Sequence, residues 1–324
     1  MPAAANAVDP SIHPVTLGGS GLPLLPMALG GSWYATDASD ADRVAAMTAA
    51  YDGGIRHFDT AAGYGSGRSE ELLGAFLDGR RDTVFVASKA NPAELTAPSM
   101  LASVEASLRR LRLEAVELYY IHWPRAGRDM RPVMEGLELA RRQGKIGAIG
   151  VSNFSVAQMQ MVEEVGRIDA HQLGYNLLWR YAEGEVIPHC RRNGIAVIAY
   201  SALSHGILTG KFGPVLDLAP GDQRHTILPF RADIWPHVHA GVEEMQQIAA
   251  ESGLPLATLA IRWILSRATI DSVVVGAKNG RQADTNLAAL APAIPPGVYD
   301  RLTAISDRVT AHIPDVGNLF NHYP

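Results

Sequence analysis

Four side chains in the first 122 residues could do chemistry together. Asp59 stands in the run His57-Phe58-Asp59-Thr60-Ala61, and Tyr64 follows in Ala62-Gly63-Tyr64-Gly65. Lys89 follows the apolar run 84–88, and His122 follows the run 116–121. A tyrosine hydroxyl, with a reference pKa near ~10, is a weak acid at neutral pH. A lysine ammonium beside it favours the phenolate and lowers that value. An aspartate beside the lysine would hold it charged and in place. A histidine donating to a carbonyl oxygen could orient and polarise it, and the tyrosine could then protonate that oxygen as the carbon accepts a hydride. None of the four is a hydride source, so the scheme needs a nicotinamide cofactor. Each residue alone also has a plain structural reading: a turn-capping Asp, a loop-packing Tyr, an ion-paired Lys, a satisfied core His. Their order at successive strand ends is what points to a shared site.

The elements that must position them read as alternating strands and helices. Candidate strands lie at 26–29, 56–59, 84–88, 116–121, 146–151, 170–173, 195–200 and 272–275, most of them near-continuously apolar. Parallel strands buried on both faces read that way. Helical patterns lie between them, at 40–51, 69–77, 101–111, 133–142, 156–165, 182–192, 256–265 and 282–290. Ser155 is placed as an N-cap, and Gly53-Gly54, Gly144 and Gly194 as helix terminators. Eight strand–helix units at this length predict one α/β domain, a (β/α)8 barrel spanning residues 1–324. The stretch 15–25, with Gly18-Gly19-Ser20-Gly21 at its centre, is expected to be a hairpin capping the barrel bottom. Residues 1–12 read as a flexible tail. Residues 202–236 form a long, Gly- and Pro-rich segment after strand seven, of a length usually tied to function. The tail beyond Pro295 is expected to close over a barrel mouth. Active sites in this architecture lie at the C-terminal ends of the strands, which is where the four residues fall.

Composition narrows the remaining classes. The chain has 324 residues, 47% hydrophobic and 19% charged, with a formal net charge of −5. That is globular composition without the basic excess that nucleic acid or an anionic membrane surface would attract. Cys190 is the only cysteine, so neither an intramolecular disulfide nor a cysteine-built zinc site is possible. No apolar stretch is long enough to span a bilayer, and the N-terminus has no secretory pattern. The expected setting is a reducing cytoplasm. The glycines 63, 65 and 67 miss the dinucleotide fingerprint because Arg68 occupies its last place, and 206–211 misses the Walker spacing by one residue. No metal site is expected.

The ordered motifs resemble the aldo-keto reductase superfamily. The segment from His57 to Gly65, continued by Arg68-Ser69-Glu70-Glu71, is similar to its first signature. Ser88-Lys89, Tyr120-Ile121-His122-Trp123 and the run from Gly144-Lys145-Ile146 to Gly150-Val151-Ser152-Asn153-Phe154 are similar to three more. The resemblance extends from about Leu29 to Leu290, and within the superfamily it is to the bacterial branch near the general-stress and inositol-cluster reductases and the potassium-channel β subunits. It implies a catalytic tetrad of Asp59, Tyr64, Lys89 and His122, with Tyr64 as general acid or base. It implies that Ser152, Asn153 and Gln172 hold the nicotinamide carboxamide and that Tyr200 stacks on the ring. Ser201, Ala202, Leu203, His205, Gly206 and Lys211 would form the pyrophosphate loop, with Arg224 folding over it. Gly276, Lys278, Gln282 and Asn286 would take the adenosine end, and Lys278 would favour NADPH while leaving NADH possible. Gly31 and Ser32 would also line the cofactor site, with Gly31 standing where the family often has threonine. Trp33, Tyr64, His122, Trp123 and Trp179 would line the substrate pocket. The function implied is NADP(H)-dependent interconversion of an aldehyde, ketone or aldose with an alcohol. Its rival is a cofactor-holding regulatory subunit with slow turnover, resembling the channel β subunits, and an unrelated barrel hydrolase or isomerase would bind no nicotinamide at all. The partner expected is a small carbonyl or alcohol. The oligomeric state is unreadable from the sequence.

Overall fold

The computed structural model describes residues 9, 12–32 and 38–316. It opens with β1 (Val15–Leu17) and β2 (Leu22–Leu24), an antiparallel hairpin. β3 (Met27–Gly30), α1 (Asp40–Asp52), β4 (His57–Asp59), α2 (Arg68–Phe76), β5 (Phe85–Ala90), α3 (Ala97–Leu111), β6 (Val116–Ile121) and α4 (Arg131–Arg142) follow. Next come β7 (Ile146–Ser152), α5 (Val156–Glu163), β8 (Ala170–Gly174), α6 (Val186–Arg192) and β9 (Ala196–Tyr200). The described chain closes with α7 (Trp235–Glu251), α8 (Leu256–Leu265), β10 (Ser272–Gly276), α9 (Gly280–Ala288) and α10 (Pro296–Thr310). Strands β3 to β10 form one closed barrel with every neighbouring pair parallel, the (β/α)8 architecture the sequence predicts.

Side-chain alternation divides each strand between two environments. Outward residues such as Phe58, Val86, Tyr119, Ile149 and Val197 join the core shared with the helices. Inward residues Ala28, Phe85, Ala87, Leu118, Tyr120, Ala148, Ala170, Ala196, Ile198 and Val274 fill the barrel itself. Leu17 and Leu24 of the hairpin complete that inner cluster from below, so β1 and β2 plug the barrel floor as expected.

Local chemistry fixes the helix ends. Ser39 and Ser155 each form a reciprocal capping box, with Asp42 and Gln158. Gly144 and Gly194 adopt the left-handed conformation, φ 72° and 65°, that lets the chain leave α4 and α6 for the next strand.

Three expectations change. Within the stretch read as a tail, Asp9 pairs with the buried Arg262, and its N–H donates to the Leu290 carbonyl at 3.0 Å; residues 1–8, 10 and 11 lie outside the described residues. An unassigned helix, α7, follows the long segment after β9. Its apolar face recurs at Val238, Val242, Met245 and Ala249, but the opening Trp-Pro-His-Val-His obscures it. Residues 296–310 form α10, which packs against α7, where Val309 meets Gly241, and against α8, where Thr303 accepts from the Trp263 indole at 2.9 Å. That part of the C-terminal tail belongs to the helical shell instead of closing a mouth.

Candidate active site

The strand register brings the four predicted residues together at the C-terminal mouth. Asp59 ends β4 and Lys89 lies near the end of β5, two residues above the inward-facing Ala87. His122 follows β6, two residues above the inward-facing Tyr120. Tyr64 is placed by the short helical turn Tyr64–Gly67, where Gly67 takes φ 97° with Arg110 Cδ 2.6 Å from where a Cβ would stand. Lys89 Nζ donates to Asp59 Oδ1 and, at 2.9 Å, to the Thr60 carbonyl. The two charged side chains are 0% and 3% exposed, so each is the other's main compensation for lost water. Lys89 Nζ lies 5.3 Å from the centre of the Tyr64 ring. Lys89 and Ser32 both act on the Tyr64 hydroxyl in the direction that favours the phenolate. The Tyr64 and His122 rings meet edge to face, 5.6 Å apart.

The electrostatics differ from the sequence expectation in one respect. Burial pushes the Tyr64 hydroxyl above its ordinary value. Lys89 opposes that rise without overcoming it, and Asp59 adds to it. Burial also works against the charge on Lys89, yet Asp59 and Tyr64 hold its ammonium above the ordinary lysine value. Burial, then Lys89, pushes His122 down to about 3. At neutral pH the imidazole is therefore uncharged and can orient an oxygen, whereas the tyrosine keeps its proton and can give it.

The residues expected to bind a cofactor form two groups. Near the tetrad, Asn153 at φ 65° donates to the His122 carbonyl at 3.2 Å and to Ser152 Oγ at 2.9 Å. Its Oδ1 accepts from the Tyr200 hydroxyl at 2.7 Å, which fixes the half-buried Tyr200 ring at the mouth. Gln172 spends its Nε2 on Asp59 Oδ2, at 2.8 Å. Gly31 leaves no room for a larger residue, because a Cβ would come within 2.6 Å of Ser69 Oγ.

The second group surrounds the segment after β9. Ser201, Ser204, His205 and Gly206 all have positive φ, and the buried Ser204 hydroxyl has no hydrogen-bond partner. Burial lowers the Lys211 pKa, and the nearby Arg224 and Lys278 cations lower it further, against the pull of Asp222. Asp222 grips Arg224 through Nε and Nη2, and Arg224 and Lys211 both lie over the Phe212 ring. Two cations close to Lys211 and an unsatisfied buried hydroxyl in the segment after β9 suit an anionic phosphate chain, so these residues fit the nicotinamide dinucleotide that the chemistry requires. Ala202 is buried in the core and Leu203 half-buried. Gln282 accepts from the Lys278 N–H at 2.9 Å, and Asn286 donates to the Gly276 carbonyl at 3.1 Å. Those bonds order the turn between β10 and α9.

The substrate residues divide. Trp123 is half-buried beside the His122 ring, with its N–H held by Asn91 Oδ1 at 2.9 Å. Trp179 is only 3% exposed, packed edge-on to Tyr200 and against Gly174. Its place is behind Tyr200, which corrects its assignment to the pocket wall. Trp33 lies outside the described residues.

Two supports were missed. Buried Glu70 accepts from Ser88 Oγ at 2.5 Å and from Arg110 Nε at 2.6 Å, tying α2, which follows the Tyr64 turn, to the Lys89 strand and to α3. Asn176 donates to the Ser201 carbonyl at 2.9 Å. A polar residue inside an apolar stretch was the available signal for Asn176, whereas Glu70 sits in the polar run Arg68-Ser69-Glu70-Glu71, where nothing marks it as buried. The buried Cys190 thiol, pushed up to about 12 by burial, is inert. Among the described residues no cluster of three metal-ligating side chains occurs, and no single helix is long and apolar enough to cross a membrane.

Comparison with known proteins agrees with the fold. The model of the Aldo/keto reductase family matches residues 26–307. The chain belongs to that family. It is 33% identical to the aldo-keto reductase YhdN of Bacillus subtilis, over 79% of this chain and 81% of that protein. It is 30% identical to the NADH-specific methylglyoxal reductase of Escherichia coli, over 85% and 90%. The solved structure of a glycerol dehydrogenase from Gluconobacter oxydans superposes with TM-score 0.81 at 28% identity, covering 96% of this chain and 97% of that one. The family is one of nicotinamide-dependent oxidoreductases, and the Escherichia coli and Gluconobacter oxydans proteins are named for methylglyoxal and for glycerol.

Proposed function

We propose that this aldo/keto reductase interconverts a small carbonyl (an aldehyde, ketone or aldose) and its alcohol, with NADP(H) as cofactor and Tyr64 as general acid and base. The observation that carries the reading is the Tyr64 hydroxyl itself. The buried Lys89 ammonium lies beside the Tyr64 ring, 5.3 Å from the centre, and favours the phenolate, and the ring faces an imidazole that burial keeps neutral.

His122 orients the carbonyl oxygen by donating to it, and Tyr64 gives that oxygen its proton. The Lys89–Asp59 pair stabilises the phenolate left behind, and in the reverse direction the phenolate takes the alcohol proton back. A reduced nicotinamide, when bound, supplies the hydride. Ser152 and Asn153 would hold its carboxamide, with Tyr200 against the ring. Lys211, Arg224 and the Ser204–Gly206 turn would hold the phosphates. Lys278 would meet a ribose phosphate, which supports NADPH over NADH although the Escherichia coli relative is NADH-specific.

The first experiment follows reduced-nicotinamide absorbance with NADPH and with NADH against a panel of aldehydes and aldoses. Tyr64→Phe should lower kcat by about 10²–10⁴ while cofactor affinity stays within a few-fold. Undiminished turnover in that variant would end the tyrosine assignment. Tight cofactor binding without turnover on any substrate would instead favour a cofactor-holding regulatory role. Lys278→Ala should weaken NADPH binding about tenfold and leave NADH nearly unchanged. Equal losses for both would remove the preference for NADPH.

A further inference from the structure

Gln172 spans the barrel mouth. It lies on β8, in register with Ser152 of β7 and Ile198 of β9. β4 and β8 are fourth neighbours in a ring of eight strands, so they face each other across the mouth. The Gln172 amide crosses that space and donates to Asp59 Oδ2 at 2.8 Å. Oδ1 of the same carboxylate takes Lys89 Nζ. Gln172 is 4% exposed, so this contact is shielded from water. One buried carboxylate is thus shared between an ammonium and an amide drawn from opposite sides of the barrel.

That sharing affects Tyr64. The ammonium favours the phenolate and the carboxylate opposes it. A hydrogen bond donated to a carboxylate takes up part of its charge, and does so more effectively in a low-dielectric interior. The Gln172 amide therefore weakens the opposition of Asp59 to the phenolate. The other groups that face this pair are named by their elements. Lys89 comes from β5, Tyr120 and His122 from β6 and its end, His57 from β4, Ser32 from beyond β3 and Tyr200 from β9. None of them takes the second oxygen of Asp59 among the described hydrogen bonds.

We propose that Gln172 is a positioning residue for the tyrosine: through Asp59 it sets how readily Tyr64 gives up its proton, beyond any contact it makes with a cofactor amide. This rests on the role given to Tyr64 above. A carboxamide competing for the Gln172 amide would release Asp59 Oδ2, so cofactor occupancy and tyrosine acidity are linked through one side chain.

The test titrates Tyr64 in the protein without nicotinamide, by NMR of ring-labelled tyrosine, with Tyr64→Phe assigning the signal. Gln172→Met keeps the length and removes the donor; Gln172→Glu sets a second carboxylate against Asp59. The midpoint should be lowest in the wild type. It should be higher in Gln172→Met by on the order of one unit, a tenfold change in the ionisation constant, and highest in Gln172→Glu. NADP+ affinity is measured alongside by fluorescence. An unmoved midpoint in both variants, with only NADP+ affinity reduced, would leave Gln172 as a cofactor contact alone and overturn the proposal. If Gln172→Met does not fold, a Gln172→Glu midpoint at or below the wild-type value overturns it equally. The titration needs no turnover, so its failure is distinct from that of the reductase reading, which would show as activity surviving in Tyr64→Phe.

Discussion

The upper and lower halves of one barrel interior are built on the same strands, and they treat buried bases in opposite ways. His57 and Asp59 share the inward face of β4, two residues apart. Below, His57 is fully buried, neither ring nitrogen has a hydrogen-bond partner, and burial pushes it down to about 4. Phe85 lies edge-on to it at 4.6 Å, within the apolar cluster that fills the barrel. Above, Lys89 is equally buried and keeps its charge, because Asp59 and the Thr60 carbonyl take its protons' hydrogen bonds. Burial alone neutralises a base, and a partner fixed on the neighbouring strand reverses the outcome. The two outcomes lie one pleat repeat apart on the same strands.

The largest effect should come from removing the partner that keeps the upper charge. Lys89→Met leaves Asp59 buried opposite a methyl group and should cost about 3–5 kcal/mol in denaturant unfolding, with turnover lost as well. A cost under about 1 kcal/mol would mean that water reaches the pair and that the two halves do not differ in polarity as described.

The lower half is tested by acid. Below pH 6.5 the unfolded chain takes up a proton that the folded His57 refuses until about 4, so stability falls as pH drops through that window. The contribution is about 3 kcal/mol across the window. Burial holds His171 down to about 3 and His205 down to about 4, so both add to the same acid limb. His57→Leu should flatten the limb by its share and leave kcat at pH 7 within a few-fold. An unchanged pH–stability profile would show that His57 has a partner in solution.

The smallest effect serves as the control outside the barrel. Ser155→Ala removes the capping box of α5 and should cost about 1 kcal/mol, with no change in the pH profile of activity. A shifted profile would mean that the helical shell and the rim are coupled, and the contrast would then extend beyond the interior.

Much of this arrangement was legible beforehand, for identifiable reasons. Near-continuous apolar runs located most of the barrel strands, because a parallel strand buried on both faces permits few polar residues, and the alternation of strand and helix placed the more polar ones at 56–59 and 170–173. The tetrad was legible because strand ends mark the mouth. The helix α7 was not, since its first turn mixes Trp, Pro and His and masks a 3.6-residue period that continues beyond it. Asp9 read as tail, because its partner Arg262 lies 253 residues away and no local pattern signals such a pair. Trp179 read as a rim aromatic, and only packing against Gly174 places it behind Tyr200.

The sequence by itself determined the barrel, the family signatures and the four residue types at the rim, since strand period and residue chemistry are local properties. The tertiary structure alone decided their state. The direction of the Tyr64 shift, the neutrality of His122, the Lys211–Arg224–Lys278 cluster and the bond from Gln172 to Asp59 all depend on distances between residues far apart in the chain. Burial and Coulomb interaction act through space, and the spacing of letters along the chain does not record them.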